Sequence, residues 1–166
     1  MQVLNIRVDD RLVHGVVATN WIPRLQVNRC VVIDEEAANN AMMKGALRMA
    51  TPRNVFLSVI SLEKTLENFS VNKYGDEKII IVVKDLKPIL GLIEGGFKFD
   101  SLTLGNMGNQ VKKDSTVKLT KYVSVNDETI PQIKQILDAG IKVTGQLIPE
   151  DDAEDIEDLL KKKELL

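Results

Sequence analysis

Hydrophobic positions along the chain follow two alternating rhythms. Short β-branched runs recur, separated by longer amphipathic stretches. The runs predict strands over residues 3–8, 29–33, 55–60, 78–84, 101–104, 121–125 and 141–147. In the fourth, Ile79-Ile80-Ile81-Val82-Val83 is apolar without a break, the pattern of a strand covered on both faces. The intervening stretches predict helices over 16–24, 36–50, 62–69, 86–93 and 128–139. Their ends carry the expected signals. Ser61, Asp85 and Asn126 or Asp127 are capping residue types, and Pro88 and Pro131 stand in first turns. Gly95-Gly96 and Gly140 close two of these helices. A last helix is expected at about 150–163. It opens on Glu150-Asp151-Asp152 and closes on Lys161-Lys162-Lys163, a charge order that complements the helix dipole.

Strands alternating with helices imply βαβ units and right-handed crossovers. The expected fold class is therefore α/β: a single doubly wound domain over residues 1–166, with a mostly parallel central sheet of about seven strands and helices on both faces. No linker, repeat or low-complexity tract divides the chain. In such sheets ligands bind beyond the carboxyl ends of the strands, so the residues just after each strand are the first to inspect.

Composition narrows the possibilities further. A net charge of −2 gives no broad basic field for nucleic acid. The single cysteine, Cys30, lies in the apolar run Cys30-Val31-Val32-Ile33 and reads as a buried, inert thiol. Acidic and basic residues interrupt the first ten positions, and no apolar run approaches the roughly twenty residues of a membrane span. The expected location is the cytoplasm, with no direct membrane insertion.

After the first strand comes Asp9-Asp10-Arg11-Leu12-Val13-His14-Gly15, which contains the only histidine of the chain. A neutral imidazole is a nucleophile near neutral pH. Arg11 offers a planar fork of donors matched to phosphate oxygens. Gly15 allows close approach of main-chain amides, and those of Gly15 and Val16 open a helix whose positive end faces the loop. Asp10 is expected to orient Arg11 or fix the imidazole tautomer. Together these would hold a phosphoryl group without metal or other cofactor, and no metal-ligand spacing is present. A solvated loop with a weak ion pair would contain the same residues, and residue chemistry alone leaves both readings open.

The segment Arg7-Val8-Asp9-Asp10-Arg11-Leu12-Val13-His14-Gly15 resembles the phosphorylation loop of the IIB components of the mannose/fructose/sorbose family of bacterial sugar phosphotransferase systems. Further segments are similar to that family: Val31-Val32-Ile33-Asp34-Glu35-Glu36-Ala37, Leu47-Arg48-Met49-Ala50-Thr51-Pro52, Leu104-Gly105-Asn106-Met107 and Gln146-Leu147-Ile148-Pro149. The resemblance implies a phosphotransferase subunit. A phosphohistidine on a IIA partner would pass its phosphoryl group to His14 at Nδ1, with Arg11 assisting. His14 would pass it on to a sugar carried by IIC and IID membrane subunits, with which the protein would associate peripherally.

Two positions depart from the family's usual pattern: Val16, where glutamine is usual, and Ile33, where asparagine is usual. They favour, as alternatives of the same fold, a non-catalytic regulatory or ligand-binding paralogue. A receiver-like aspartate phosphoacceptor is a further alternative. It would use Asp9-Asp10 to bind magnesium, but the third strand ends in Ser58-Val59-Ile60-Ser61 and offers no acceptor aspartate.

Overall fold

The computed structural model describes residues 1–110 and 113–166. Its centre is a seven-stranded sheet in the order β3-β2-β4-β1-β5-β8-β9. The strands are β1 (Gln2–Asp9), β2 (Arg29–Ile33), β3 (Phe56–Ile60), β4 (Lys78–Val83), β5 (Ser101–Asn106), β8 (Lys142–Gly145) and β9 (Glu154–Asp155). All pairs are parallel except β8 with β9. The sheet is thus mostly parallel, as the alternation of elements requires.

Period-two alternation sends successive side chains to opposite faces. Ile80 and Val82 of β4 join Cys30 and Val32 of β2 on one face. That face is covered by α1 (Ile22–Leu25), α2 (Glu35–Ala38) and α3 (Ala41–Ala50), through Ile22, Ala37 and Leu47. Ile79, Ile81 and Val83 point the other way, toward α4 (Leu62–Ser70), α5 (Lys87–Glu94), α6 (Thr129–Asp138) and α7 (Ile156–Lys162). Ile89, Leu92, Ile133, Ile136, Ile156 and Leu160 fill this second core. Each fully buried aliphatic side chain contributes about 1.5–3 kcal/mol by leaving water.

Three expectations are corrected in detail. The helix expected over 36–50 is two helices, because Asn40 takes an extended conformation and its side chain accepts from the Met43 amide as an N-cap. Residues 121–125 do not add a strand to the main sheet. Only β7 (Ser124–Val125) forms there, antiparallel to β6 (Val117–Lys118) in a separate ribbon. The seventh sheet strand is β9, unseen in the sequence because it is two residues long. The last helix starts at Ile156 rather than near residue 150, because Asp155 caps it by accepting from the Asp158 amide.

Cys30 is wholly buried, and the loss of solvation pushes its thiol up to about 12. Only the thiolate is an effective nucleophile. Ellman's reagent at pH 8 should therefore modify Cys30 no faster than the protein unfolds. Prompt modification of the folded protein would show that the interior around β2 is open.

Candidate functional site

The site is built from the carboxyl end of β1. The Leu12 amide donates to the Asp9 carbonyl (2.8 Å) and the Arg11 amide to Asp9 Oδ1 (3.2 Å), which closes a tight turn. Leu12 sits at φ 60°, a left-handed conformation that costs a bulky residue about 1–2 kcal/mol. Burial of its side chain, 4% exposed, holds it there. The turn leaves Arg11 and His14 exposed to solvent. Gly15 sits at φ 23°, helical backbone begins at Val16, and a π-helical turn (Val17–Trp21) follows before α1. The amides of Gly15 and Val16 open this helix, where no carbonyl lies one turn earlier to receive them.

A cleft of about 310 Å³ lies against this loop. One wall is Asp9, Arg11, His14 and Val16. The other lining comes from the end of β5, the loop after it and the segment before β7: Asn106, Asn109, Lys121 and Tyr122, with Leu147 beside them. Here the sheet order reverses direction. The chain leaves β1 toward β2 on one side and β5 toward β8 on the other, so a crevice opens between the two strand ends. Clefts of about 340 and 430 Å³ lie at the amino ends of the strands and touch none of these residues.

Under the cleft lies Arg7, with no exposed surface. Its guanidinium stacks over the Trp21 ring (4.7 Å to the centroid). Its Nη2 donates to the Leu147 carbonyl (3.1 Å), which also accepts from Trp21 Nε1 (2.7 Å). Asp9 Oδ2 stands 3.9 Å from the same Nη2. Among the described residues, Nε and Nη1 find no hydrogen-bond partner. Desolvation lowers the Arg7 pKa to about 10 despite the pull of Asp9. Space for the guanidinium comes from Gly105, where a Cβ would fall 1.7 Å from Nη2. Gly105 is the extra residue of a bulge, since Val8 faces Leu104 while Asp9 faces Asn106.

The carboxyls divide the work differently from the sequence expectation. Asp10 makes no hydrogen bond to Arg11 or His14 among the described residues. Its Oδ1 accepts from Asn106 Nδ2 (2.9 Å) and its amide donates to the Asn106 carbonyl (2.9 Å), tying the end of β1 to the end of β5. Asp9 is the acid that touches the Arg11 backbone. Burial pushes both carboxyls up. For Asp9 the Arg11 amide and the charge of Arg7 pull the other way. For Asp10 the charge of Asp9 pushes further in the same direction.

His14, Arg11 and Val16 thus line one cleft, Asn106 joins them from the end of β5, and Gly15 lies in the chain between two of them without lining it. Thr51 and Pro52 do not. Thr51 Oγ1 donates to the Leu47 carbonyl, and Pro52 lines a cleft at the amino end of the sheet. Ile33 is 1% exposed and belongs to the core. Sequence reasoning missed Arg7, Trp21, Lys121 and Tyr122 as site components. A polar stripe at Asn5, Arg7 and Asp9 inside a buried strand was the available signal for the first of these. No metal-holding cluster and no helix long and apolar enough to cross a membrane occurs among the described residues.

An exposed imidazole and an exposed guanidinium share one cleft at the carboxyl end of a mostly parallel α/β sheet. Residues 3–166 match the family described as PTS system sorbose subfamily IIB component, and the chain belongs to that family. It is 27% identical over 161 residues to the PTS system fructose-specific EIIB component of Bacillus subtilis, covering 97% of both chains. It is 29% identical over 156 residues to the PTS system mannose-specific EIIAB component of Escherichia coli, covering 94% of this chain and 47% of that one. The crystal structure of the IIBSor domain of the sorbose permease from Klebsiella pneumoniae superposes with a TM-score of 0.88 at 26% identity, covering 98% of each chain.

The raised Asp10 carboxyl has a consequence for stability. A folded-state value above the unfolded one favours the fold at low pH and is lost as pH rises through the folded value. Asp10→Asn keeps an oxygen for Asn106 and removes that dependence. Urea unfolding should show the variant gaining on the wild type between pH 4 and pH 7. A gap that is constant with pH, or that shrinks toward pH 7, would contradict the assigned burial.

Proposed function

We propose that the protein is the phosphoryl-carrying IIB subunit of a sugar phosphotransferase system and that His14 is the carrier. In this reading a phosphohistidine on a IIA protein or domain approaches the open side of the cleft. A ring nitrogen of His14 attacks phosphorus in line. The new P–N bond forms as the donor's P–N bond breaks, and the donor imidazole keeps the electron pair. In the second step a sugar hydroxyl oxygen attacks the same phosphorus, His14 is released and the hydroxyl proton leaves. Phosphoryl transfer of this kind asks the protein mainly for positioning and charge stabilisation.

The observation that carries the reading is the placement of His14. It is exposed, shares a 310 Å³ cleft with Arg11, and precedes the first free amides of a helix. Val16 lines the cleft and takes part through its main-chain amide, so an apolar side chain at that position is compatible with the role. The EIIAB name of the Escherichia coli relative supports a IIA partner. IIC and IID membrane subunits holding the sugar would be the final acceptors' hosts, which places the protein in the cytoplasm beside a transporter.

The test is labelling by a phosphorylated IIA protein. His14 should take up acid-labile phosphate, and His14→Ala should take up none. Retained labelling in His14→Ala would remove the histidine from the mechanism. Arg11→Lys keeps the charge and loses the fork, and should slow transfer at least about tenfold. An unchanged rate would exclude Arg11.

A further inference from the structure

We propose that Lys121 is the second cation of the phosphoryl site, lining the same cleft as His14 and Arg11. This rests on the reading of His14 as the carrier and adds a residue to it. The argument begins with charge. A phosphoryl group brings a charge of about −1.5 to −2 near neutral pH. Among the described residues, two carboxyls, Asp9 and Asp10, and three cations, Arg7, Arg11 and Lys121, lie at or directly beneath the cleft. With both carboxyls ionised, Arg7 and Arg11 are offset. The net positive charge that remains is that of Lys121. Arg7 is moreover buried and committed to Leu147 and Trp21, so it cannot move up to meet an anion.

The second line of argument is how firmly the chain places this residue. Lys121 and Tyr122 form a corner between β6 and β7. The Tyr122 carbonyl accepts from the Met107 amide (3.0 Å) and from Asn109 Nδ2 (2.6 Å). Asn109 Nδ2 also donates to Asn106 Oδ1 (2.8 Å), and Asn106 in turn holds Asp10. The Thr120 hydroxyl accepts from the Tyr122 and Val123 amides, which turns the corner. Gly108, at φ 77°, lets the loop after β5 press against this segment, since a Cβ there would meet the Ser124 carbonyl oxygen at 2.2 Å. The ribbon is thereby fastened to the end of β5 at the cleft that His14 also lines.

The third observation concerns the ammonium itself. Among the described residues no carboxylate pairs with Lys121. Its Nζ lies 5.2 Å from the Tyr122 ring centroid, and both side chains line the cleft. A cation against an aromatic face keeps its donors free for an anion. Lys121 is exposed, so its replacement should leave the fold intact.

The single histidine of the chain makes the proposal testable without ambiguity. Transfer from a phosphorylated IIA protein to His14 is timed in wild type and variants over a range of ionic strength. Lys121→Gln should slow transfer roughly tenfold and weaken its dependence on salt, because one positive charge at the phosphoryl site has gone. Lys121→Arg should restore both. If wild-type His14 is phosphorylated but Lys121→Gln transfers like wild type at every salt concentration, the proposal is overturned and the carrier reading stands. If wild-type His14 takes no label, the carrier reading itself has failed, and Lys121 loses its role with it.

Discussion

The site depends on one buried charge. Arg7 lies in the central strand with no solvent contact, and taking a guanidinium out of water costs several kcal/mol unless the surroundings answer it. Much of the local architecture is that answer. A bulge at Gly105 clears the space, and the π-helical turn after His14 sets Trp21 under the guanidinium. The Leu147 carbonyl is brought in from beyond β8, and Asp9 supplies the counter-charge. These four contributions come from β1, β5, the first helical segment and the chain after β8. Arg7 therefore fixes the relative positions of the segments that border the cleft.

The same arrangement links burial to surface chemistry. Asp9 faces Arg7 with one oxygen and holds the Arg11 amide with the other, so the buried cation shapes the exposed turn through one carboxylate. A parallel chain of contacts runs along the rim. Asp10 grips Asn106, Asn106 grips Asn109, and Asn109 grips the Tyr122 carbonyl. The two chains meet at the end of β1. The adjacent acids Asp9 and Asp10 look interchangeable in sequence and yet serve different parts of the cleft.

Much of this was legible in the sequence, and the reasons for the rest are physical. Unbroken apolar runs such as Ile79–Val83 identify doubly covered strands because burial on both faces leaves no other pattern. Caps at Ser61 and Asn126 act locally, so residue type and neighbours suffice to find them. The loop from Asp9 to Gly15 stood out because its residue types suit one kind of anion. What escaped is non-local. Nothing near Arg7 in sequence says that Gly105, Trp21 and Leu147 will surround it, and a lysine at 121 gains meaning only when the ribbon folds onto β5. Residues 121–125 alternate well enough for a strand, but their partner is a two-residue ribbon rather than the sheet, a choice made by tertiary contacts.

On the proposed reading, the openness of the cleft follows from the reaction. An in-line transfer between two imidazoles needs the incoming ring on the side of phosphorus opposite His14, so that side must face solvent until the partner arrives. The protein cannot then exclude water by its own folding, and its stabilising groups must stand around and behind the phosphoryl position rather than in front of it. The helix amides, Arg11 and the other lining of the cleft would occupy those positions. Excluding water becomes the partner's task, completed only on docking. A deep, enclosed pocket would shield a phosphohistidine better and would bar both the donor and the acceptor, so a relay has to keep its nucleophile at the surface and build its electrostatics underneath.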